Sequence, residues 1–481
     1  MALRIDYVSR NMNSTMKRGD LTPDYRKLNP WWETGDVTVA DRYESKRRSD
    51  YDYKLRRVRN NRLVNIAGAA GSGKTTTLHQ IADDLTSEDG IPPRKIMYLP
   101  VGDPRFQIGN DVIRDAVDEF ATYYWQRDTE PGTGYVFIDD AHALDSWSDQ
   151  VRDCLDEYPD LTIAVTLPTI ARASTDGIEE LEFETDSDLL LPPKFYDFVS
   201  EHHDIEVAKD TVRNVRDTLE HAADTGDASA LQSGLDDLLG AIDATSTLKR
   251  GVVKYFQGEG RNSNASAANH NLELTVYRDI PRYQQFDDRS DLHALCAVAA
   301  MYPGHTLGLK NLSELLECDR RTLQRYIDIL EDFFILTPSY QYKHERKRSV
   351  RLYLRDPILL AALLDLDFDG LLPTQIEDNL ISTVIFDHLK RLGFRYQGTN
   401  SPVGFWESGD VDVDFVLETG EGIPIPIVTP NTNDPRTPTD RVDSFRDEYD
   451  CTYGVHVARD AETSVENELI TLPLWLFLFF I

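Results

Sequence analysis

The sequence predicts a mixed α/β protein built on a parallel three-layer sheet with a phosphate-binding loop, followed by helical and α+β parts. A glycine-rich motif with the spacing G-x-x-x-x-G-K-[ST] follows an apolar strand at residues 63–67. A second apolar strand, at residues 135–139, ends in two acidic residues. Apolar strands and helical patterns alternate between residues 51 and 200, as is typical of a parallel α/β domain.

The glycine-rich motif is the phosphate-binding loop of nucleoside-triphosphate enzymes. Its glycines let the backbone wrap closely around phosphates, and the helix that begins near Gly73 adds a partial positive charge. Lys74 is predicted to be catalytic and to reach the β- and γ-phosphates, while the Thr75 hydroxyl is a predicted Mg²⁺ ligand. A plain glycine-rich turn is the disfavoured alternative. The predicted ATP-binding residues are Gly68, Ala69, Ala70, Gly71, Ser72, Gly73, Lys74, Thr75 and Thr76.

The strand at residues 135–139 is predicted to hold the metal. Its four apolar residues indicate a buried parallel strand, and open α/β sheets bind ligands at the carboxyl ends of such strands. Asp139 is therefore a predicted Mg²⁺-side carboxylate, and Asp140 is predicted to orient or deprotonate the attacking water. The other predicted elements of this core are strands at 63–67, 96–99 and 162–166 and helices at 74–86, 109–126 and 146–157.

Three residues that lie just past the fourth strand are weaker candidates for a role in the nucleotide site. Thr166 or Thr169 is placed to sense the γ-phosphate, and Arg172 is a candidate transition-state arginine. Ordinary loop chemistry is the commoner role for a threonine or an arginine that follows a strand, so each remains an open alternative.

The composition indicates a reduced, high-salt cytoplasm. The 481 residues include 83 Asp and Glu against 51 Lys and Arg, a net charge of −32 that is spread along the whole chain. Such a surface is typical of halophilic proteins, because concentrated salt screens most of the self-repulsion. The four cysteines lie far apart without a C-x-x-C motif, which predicts neither a metal site nor disulfides. The first residues lack an apolar signal core, so a cytoplasmic location is expected.

The chain divides into five predicted parts. These are an N-terminal arm at 1–50, the ATPase core at 51–200, a helical lid and linker at 201–290, a winged helix-turn-helix at 291–368 and an α+β domain at 369–481. The arm carries one aromatic cluster, Asn29-Pro30-Trp31-Trp32, that is expected to pack on the core. The small polar residues 258–266 predict a mobile loop.

Residues 305–355 predict a winged helix-turn-helix. A short helix at 312–316 is followed by a turn and by Asp319, a good N-cap for a second helix with apolar residues at three/four spacing. A β-wing of two strands follows, at 336–342 and 350–354. The predicted partner is duplex DNA, contacted by Arg320, Arg321, Gln324, Arg325 and the wing at 343–351. A protein partner or a homo-oligomer is the alternative.

The last part is predicted to begin with a helix near Glu377 and to continue with four strands, at 403–407, 411–417, 423–428 and 452–457. Asp412 and Asp414 share one face of the second strand and can hold Mg²⁺, although solvated edge acids are commoner. The apolar tail at 472–481 is too short to span a bilayer. A docked strand or helix is expected there, with no membrane partner.

This order of parts resembles the prokaryotic AAA-type P-loop ATPases. More narrowly, it resembles an archaeal and bacterial family whose C-terminal half is a winged helix plus a nuclease-like domain of unknown function. The matching segments are IDDAH at 138–142 with Trp147, LPPKFYDF at 191–198, YRDI at 277–280, LYLRDP at 352–357 and DVDFV at 412–416. The resemblance implies Mg²⁺-dependent ATP binding and hydrolysis by a motor or a nucleotide switch. A DNA-binding regulator in which ATP only sets the conformation is the alternative.

Two departures from the family pattern bear on activity. Family members usually end the metal strand in Asp-Glu, whereas this chain has Asp139 and Asp140. Because aspartate is one methylene shorter, hydrolysis is expected to be slow or regulated. Nuclease-like domains need Glu-x-Lys on the strand after their first acid, but Pro426 and Val428 stand at those positions. Phosphodiester cleavage then lacks its parts, so a degenerate, non-cutting domain is expected.

Overall fold

A computed structural model gives the structure of this protein. It describes residues 25–37, 46–106, 111–126, 132–169, 189–203, 205, 207–242, 245–258, 265–286, 288–344, 348–366, 374–397, 402–429 and 436–481. Contacts divide the chain into two compact units. Among the described residues, the first consists of those within 25–67 and 73–168, and the second of those within 68–72, Thr169 and 189–481. The finer five-part division stays a prediction.

The first unit contains a parallel four-stranded sheet. Its strands are β1 (Leu63–Ala67), β2 (Ile96–Pro100), β3 (Gly134–Asp139) and β4 (Leu161–Leu167), in the order β1-β4-β3-β2. Every residue of β3 and β4 is buried, as expected for central strands that are covered on both faces. All four predicted strands are confirmed to within one residue at each end, and the mixed α/β fold class is confirmed.

Helices surround this sheet. They are α1 (Tyr25–Leu28), α2 (Trp31–Thr34), α3 (Tyr51–Asn60), α4 (Lys74–Ser87), α5 (Val112–Phe120) and α6 (Trp147–Glu157). Helix α4 packs against β3 and β4, and α6 packs against β4. The predicted helix at 109–126 begins later, at Val112, and its last turn, Ala121–Trp125, is π-helical. Residues 109 and 110 lie outside the described part of the chain.

The second unit begins with helices, as the sequence predicts for 201–257. The helices of this unit are α7 (Phe195–His202), α8 (Lys209–Thr225), α9 (Ser229–Ala241), α10 (Thr245–Gln257), α11 (Ala265–Leu274), α12 (Ile280–Tyr283), α13 (Ser290–Met301), α14 (Leu309–Leu315), α15 (Arg320–Asp332), α16 (Pro357–Leu363), α17 (Thr374–Gln397), α18 (Pro438–Arg446) and α19 (Leu474–Phe480). A π-helical turn, Thr275–Asp279, joins α11 to α12. Most of the loop predicted at 258–266 lies outside the described residues.

Two sheets complete the second unit. The strands are β5 (Leu307–Gly308), β6 (Leu336–Ser339), β7 (Ser349–Leu354), β8 (Gly404–Ser408), β9 (Val411–Glu418), β10 (Pro424–Val428), β11 (Gly454–Ala458), β12 (Ser464–Glu466) and β13 (Leu469–Pro473). One antiparallel sheet has the order β5-β7-β6, and the other has the order β12-β13-β11-β10-β9-β8. The strands predicted for the last part of the chain are therefore present, together with two more at 464–473.

The helix, turn, helix and hairpin predicted for residues 305–355 are present as elements. The Asp319 side chain caps α15 by accepting the Thr322 N–H at 2.7 Å. The first wing strand differs from its predicted span, because it ends at Ser339 instead of 342. Beyond that point the chain pairs with β8: the Phe405 N–H donates to the Tyr340 carbonyl at 3.1 Å, and the Tyr342 N–H donates to the Phe405 carbonyl at 2.7 Å. Residues 340–342, which we call the stem of the wing, therefore pair with β8, the edge strand of the C-terminal sheet.

A buried ion cluster holds α17 in the core of the second unit. Asp387 Oδ1 lies 2.7 Å from Arg355 Nε, and Asp387 Oδ2 lies 2.8 Å from Arg391 Nε. These arginines hold the pKa of Asp387 to about 2 against the effect of burial. The neighbouring His388 is completely buried, and burial lowers its pKa to about 4. The two segments LYLRDP and LPPKFYDF meet here, since Arg391 also donates to the Pro192 carbonyl at 2.8 Å.

The apolar tail is a docked helix, as expected. All seven residues of α19 are buried, and the helix packs against α7, α8 and α10. None of the helices in the described residues has both the length and the apolar character that crossing a membrane requires.

Candidate nucleotide-binding site

The phosphate-binding loop lies between β1 and α4, where the sequence predicts it. Gly71 and Gly73 adopt φ angles of 79° and 100°, in the left-handed region that favours glycine. Lys74 is the first residue of α4 and is only 8% exposed. The first turn of a helix has backbone N–H groups without helical partners, so this end of α4 is suited to bind an anion. The Thr77 hydroxyl donates to the Gly73 carbonyl at 3.1 Å and ties the loop to the helix.

The structure brings the two predicted metal residues together. The Thr75 hydroxyl donates to Asp139 Oδ2 at 2.6 Å, although the two residues are 64 positions apart. Two more hydroxyls donate to the same carboxylate: Tyr98 to Oδ2 at 2.8 Å and Thr166 to Oδ1 at 2.6 Å. Asp139 is 6% exposed, so three short hydrogen bonds fix a buried carboxylate at the end of β3.

The residue predicted to act on water has an unusual backbone conformation. Asp140 has a φ angle of 55°, in the left-handed region that costs a non-glycine residue about 1–3 kcal/mol. Its N–H donates to the Thr166 hydroxyl at 2.8 Å. Gly102 leaves room for the side chain, because a Cβ atom at that position would lie 2.7 Å from Asp140 Oδ2. Such strain clusters at functional sites, where the surrounding structure maintains it.

The oxygen atoms of this site fit a magnesium ion. Thr75 Oγ1 and Asp139 Oδ2 are hard oxygen donors of the kind that Mg²⁺ prefers, and Mg²⁺ is commonly bound by one or two protein ligands together with substrate phosphates. Within the described residues there is no group of three or more His, Cys, Asp and Glu side chains that suits a metal. A magnesium ion held by these two residues would take its remaining ligands from the nucleotide phosphates and water.

The weaker candidates have different positions. Thr166 bridges Asp139 and Asp140 through its hydroxyl, whereas the Thr169 hydroxyl donates to the Asp332 carbonyl at 2.6 Å within the second unit. Arg172 lies outside the described residues. Sequence reasoning missed Tyr98 as a neighbour of Asp139. The signal that could have identified it is a tyrosine near the carboxyl end of β2, since its hydroxyl can reach the acidic end of the neighbouring strand.

The predicted DNA-contact residues form a partly open face on α15. Arg320, Arg321 and Arg325 are exposed, and Gln324 is half-buried. The Arg325 guanidinium lies 5.3 Å from the centre of the Phe286 ring. In the predicted wing at 343–351, Lys343 lies 3.4 Å from Glu418 and Arg348 is exposed, while residues 345–347 lie outside the described part of the chain.

The acids of the C-terminal sheet are paired with arginine. Arg441 is 3% exposed, and its Nη2 atom lies 2.8 Å from Asp414 Oδ2 and 3.3 Å from Asp412 Oδ1. The Thr429 N–H also donates to Asp414 Oδ2, at 2.7 Å. Glu377 pairs with Arg459 at 2.5 Å. The two aspartates are thus neither a bare Mg²⁺ pair nor solvated edge acids, because two buried guanidinium groups pair with them: Arg441 contacts both carboxylates, and Arg351 of β7 lies 3.5 Å from Asp412 Oδ2.

Two family models match parts of the chain. Residues 60–199 match the family described as "AAA domain", and residues 252–369 match the family described as "Domain of unknown function (DUF8612)". No curated protein matches the chain.

Several solved structures show a weak likeness. The Walker-type ATPase PABY2304 of Pyrococcus abyssi is 12% identical, with 68% of this chain and 99% of that chain covered and a TM-score of 0.30. The ORC1 protein of Aeropyrum pernix, solved in complex with DNA, is 15% identical, with 68% and 95% covered and a TM-score of 0.28. TM-scores this low carry no argument about this chain. The match of residues 60–199 supports the assignment of this part of the chain to an AAA-type P-loop domain.

Proposed function

We propose that this protein binds ATP together with Mg²⁺ in the cytoplasm and hydrolyses it, as a motor or a nucleotide switch. The observation that carries the proposal is the 2.6 Å hydrogen bond between the Thr75 hydroxyl, next to the loop lysine, and Asp139 at the end of β3. Phosphoryl transfer depends mainly on positioning and on charge stabilisation, and these two residues join the phosphate-binding and acidic parts of the site.

Each residue has one role in this proposal. The backbone at Gly71 and Gly73 and the Lys74 ammonium bind the phosphates. Thr75 and Asp139 hold Mg²⁺, which neutralises developing phosphate charge when bound. Asp140 orients the attacking water. Because Asp140 is shorter than glutamate and is held in a strained backbone conformation, the proposed turnover is slow.

The test is ATP binding and turnover in molar KCl with Mg²⁺, for the unaltered chain and for Lys74→Ala. The variant is expected to lose nucleotide binding, because the substitution removes the ammonium at the start of α4. Lys310→Ala is the matched control, since Lys310 is an exposed lysine of α14, far along the chain from the phosphate-binding loop. Unchanged binding in Lys74→Ala would remove the assignment, and binding without turnover would identify a nucleotide switch with Asp140 as the residue to examine.

A second candidate function is a DNA-binding regulator in which ATP only sets the conformation. The exposed arginines of α15 favour it, because a local basic face is notable in a chain with a net charge of −32. The pairing of residues 340–342 with β8 limits the contribution of the wing. Duplex binding is expected to weaken with salt and with Arg321→Ala and Arg325→Ala. Arg213→Ala, an exposed arginine of α8, is the control. No loss in the α15 variants would indicate a protein partner or a homo-oligomer.

We further propose that the C-terminal α+β domain does not cut nucleic acid. The pairing of Asp412 and Asp414 with Arg441 supports this, because the guanidinium takes the acceptor oxygens that a metal would need. The test is incubation of plasmid DNA with the chain and Mg²⁺ or Mn²⁺. Metal-dependent nicking that disappears in Asp414→Ala would overturn the proposal and make the domain an active nuclease.

A further inference from the structure

Strand β2 carries a side chain that reaches the metal-side aspartate. The strand lies at the edge of the sheet beside β3, and the register pairs Tyr98 with Phe137 and Pro100 with Asp139. Tyr98 and Asp139 therefore lie on the same face of the sheet, one diagonal step apart. The Tyr98 hydroxyl uses this placement to donate to Asp139 Oδ2 at 2.8 Å. The ring of His79, on α4, packs against the tyrosine ring with 4.4 Å between centroids.

Three side chains of the predicted arm form hydrogen bonds with the backbone of β2 along the edge that faces away from β3. The Tyr98 N–H donates to Asn29 Oδ1 at 2.6 Å, and Asn29 Nδ2 donates to the Tyr98 carbonyl at 3.1 Å. The indole N–H groups of Trp31 and Trp32 both donate to the Ile96 carbonyl, at 2.9 and 2.7 Å. The three side chains are at most 3% exposed, so water does not compete for these bonds. Asn29 thus supplies the backbone pairing that a neighbouring strand gives elsewhere in a sheet.

The hydrogen bonds to Asp139 divide into two kinds. Thr75 is itself a proposed metal ligand, so its hydroxyl belongs to the ion-binding set. Tyr98 and Thr166 lie on β2 and β4, the strands on either side of β3. They donate hydrogen bonds to the carboxylate but are not proposed as metal ligands. Groups that orient a ligand in this way change metal affinity although they do not touch the ion.

We propose that Tyr98 is a positioning residue for the Asp139 carboxylate, and that the arm residues Asn29, Trp31 and Trp32 set the position of Tyr98. This inference rests on the proposed function, because it concerns the same Mg²⁺ site. It makes the arm part of the nucleotide site, with the chain of contacts running from the arm through β2 to the carboxylate.

Tyr98→Phe tests the inference, because it removes the hydroxyl and keeps the ring that packs on His79. The measurement is a titration of a fluorescent ATP analogue in molar KCl, at a series of Mg²⁺ concentrations and without Mg²⁺. We expect the Mg²⁺ concentration for half-maximal gain in affinity to rise about tenfold in the variant. Binding without Mg²⁺ is expected to stay the same, since Tyr98 does not belong to the phosphate loop. Tyr123→Phe, at a tyrosine that is 55% exposed, is the matched control.

Asn29→Ala tests the role of the arm in the same assay. Loss of both bonds to the Tyr98 backbone is expected to shift the Mg²⁺ dependence in the same direction, by about threefold. A thermal melt of each variant separates this shift from a loss of folded protein. A lower melting temperature with unchanged Mg²⁺ dependence would overturn the role of the arm.

The outcomes separate this inference from the function on which it rests. Wild-type Mg²⁺ dependence in Tyr98→Phe would overturn the inference and leave the proposed ATPase intact. If the unaltered chain gains no affinity for the nucleotide from Mg²⁺, or if Lys74→Ala binds as well as the unaltered chain, the proposed function and the inference both fall. A shift in Tyr98→Phe that Tyr123→Phe does not show would support the inference.

Discussion

Removal of one hydroxyl group tests how the acidic end of β3 is built. Thr166 is fully buried, and its hydroxyl donates to Asp139 Oδ1 at 2.6 Å and accepts the Asp140 N–H at 2.8 Å. Thr166→Val keeps the branched shape of the side chain but removes both hydrogen bonds. We expect a less stable first unit and slower ATP turnover.

The size of the effect follows from the two lost bonds. A hydrogen bond to a charged group contributes about 1.5–3 kcal/mol, and the lower end applies because Asp139 keeps its bonds to Thr75 and Tyr98. The bond from the Asp140 N–H adds about 1 kcal/mol. The free energy of unfolding is therefore expected to fall by about 2–3 kcal/mol. Without its N–H bond, Asp140 is also free to leave its strained conformation, and we expect turnover to fall about tenfold, or about 1.4 kcal/mol of barrier.

Urea unfolding followed by tryptophan fluorescence measures the first unit, which contains four of the six tryptophans, Trp31, Trp32, Trp125 and Trp147. Thr162→Val is the matched control, because it is the same substitution near the other end of β4. Equal unfolding midpoints and equal turnover in the two variants would refute the reasoning, since the hydroxyl of Thr166 would then contribute nothing that the hydroxyl of Thr162 does not.

Three further predictions follow from burial and charge. Arg441→Leu leaves the Asp414 carboxylate without its guanidinium partner, whereas Asp412 keeps Arg351, and the change is expected to cost about 3 kcal/mol of stability. A urea midpoint that Asp414→Asn does not partly restore in this background would contradict the pairing. The lowered pKa of His388, about 4, means that the unfolded chain takes up this proton near pH 6.5 while the folded chain does not. Stability should therefore decrease as the pH falls from 6.5 to 4, by up to about 3 kcal/mol, and urea midpoints should show a flatter dependence in His388→Gln. An increase in salt from 0.1 M to 1 M shortens the Debye length from about 10 to about 3 Å and so screens the repulsion between acidic side chains. The melting temperature should therefore rise with KCl, and a constant value would contradict the halophilic interpretation.

Much of the first unit could be predicted because its signals are local. The strand, loop and helix around Lys74 lie within one short stretch, and the four strands are short apolar runs. The meeting of Thr75 and Asp139 follows from a general rule, since loops and acids at the carboxyl ends of parallel strands share one edge of the sheet.

The remaining contacts depend on register and packing between distant segments. Tyr98 lies 41 positions before Asp139 and 69 positions after Asn29, and no periodicity in the sequence encodes those pairings. Arg441 approaches Asp414 from a helix 27 positions further on. The first wing strand is shorter than predicted for the same reason. Residues 340–342 pair instead with β8, which lies more than 60 residues later in the chain.

Helix α19 has a consequence for the order in which the protein assembles. Its seven residues, Leu474–Phe480, are all apolar, and they pack against helices that lie more than 200 residues earlier in the chain. Contacts of such long separation slow folding, because the connecting chain loses its entropy before the contacts form. During synthesis the surfaces of α7, α8 and α10 stay uncovered until this segment leaves the ribosome. The sheet of the first unit closes within about a hundred residues and has no such delay, so helix α4 and the acidic strand β3 are in place while the second unit is still exposed to aggregation.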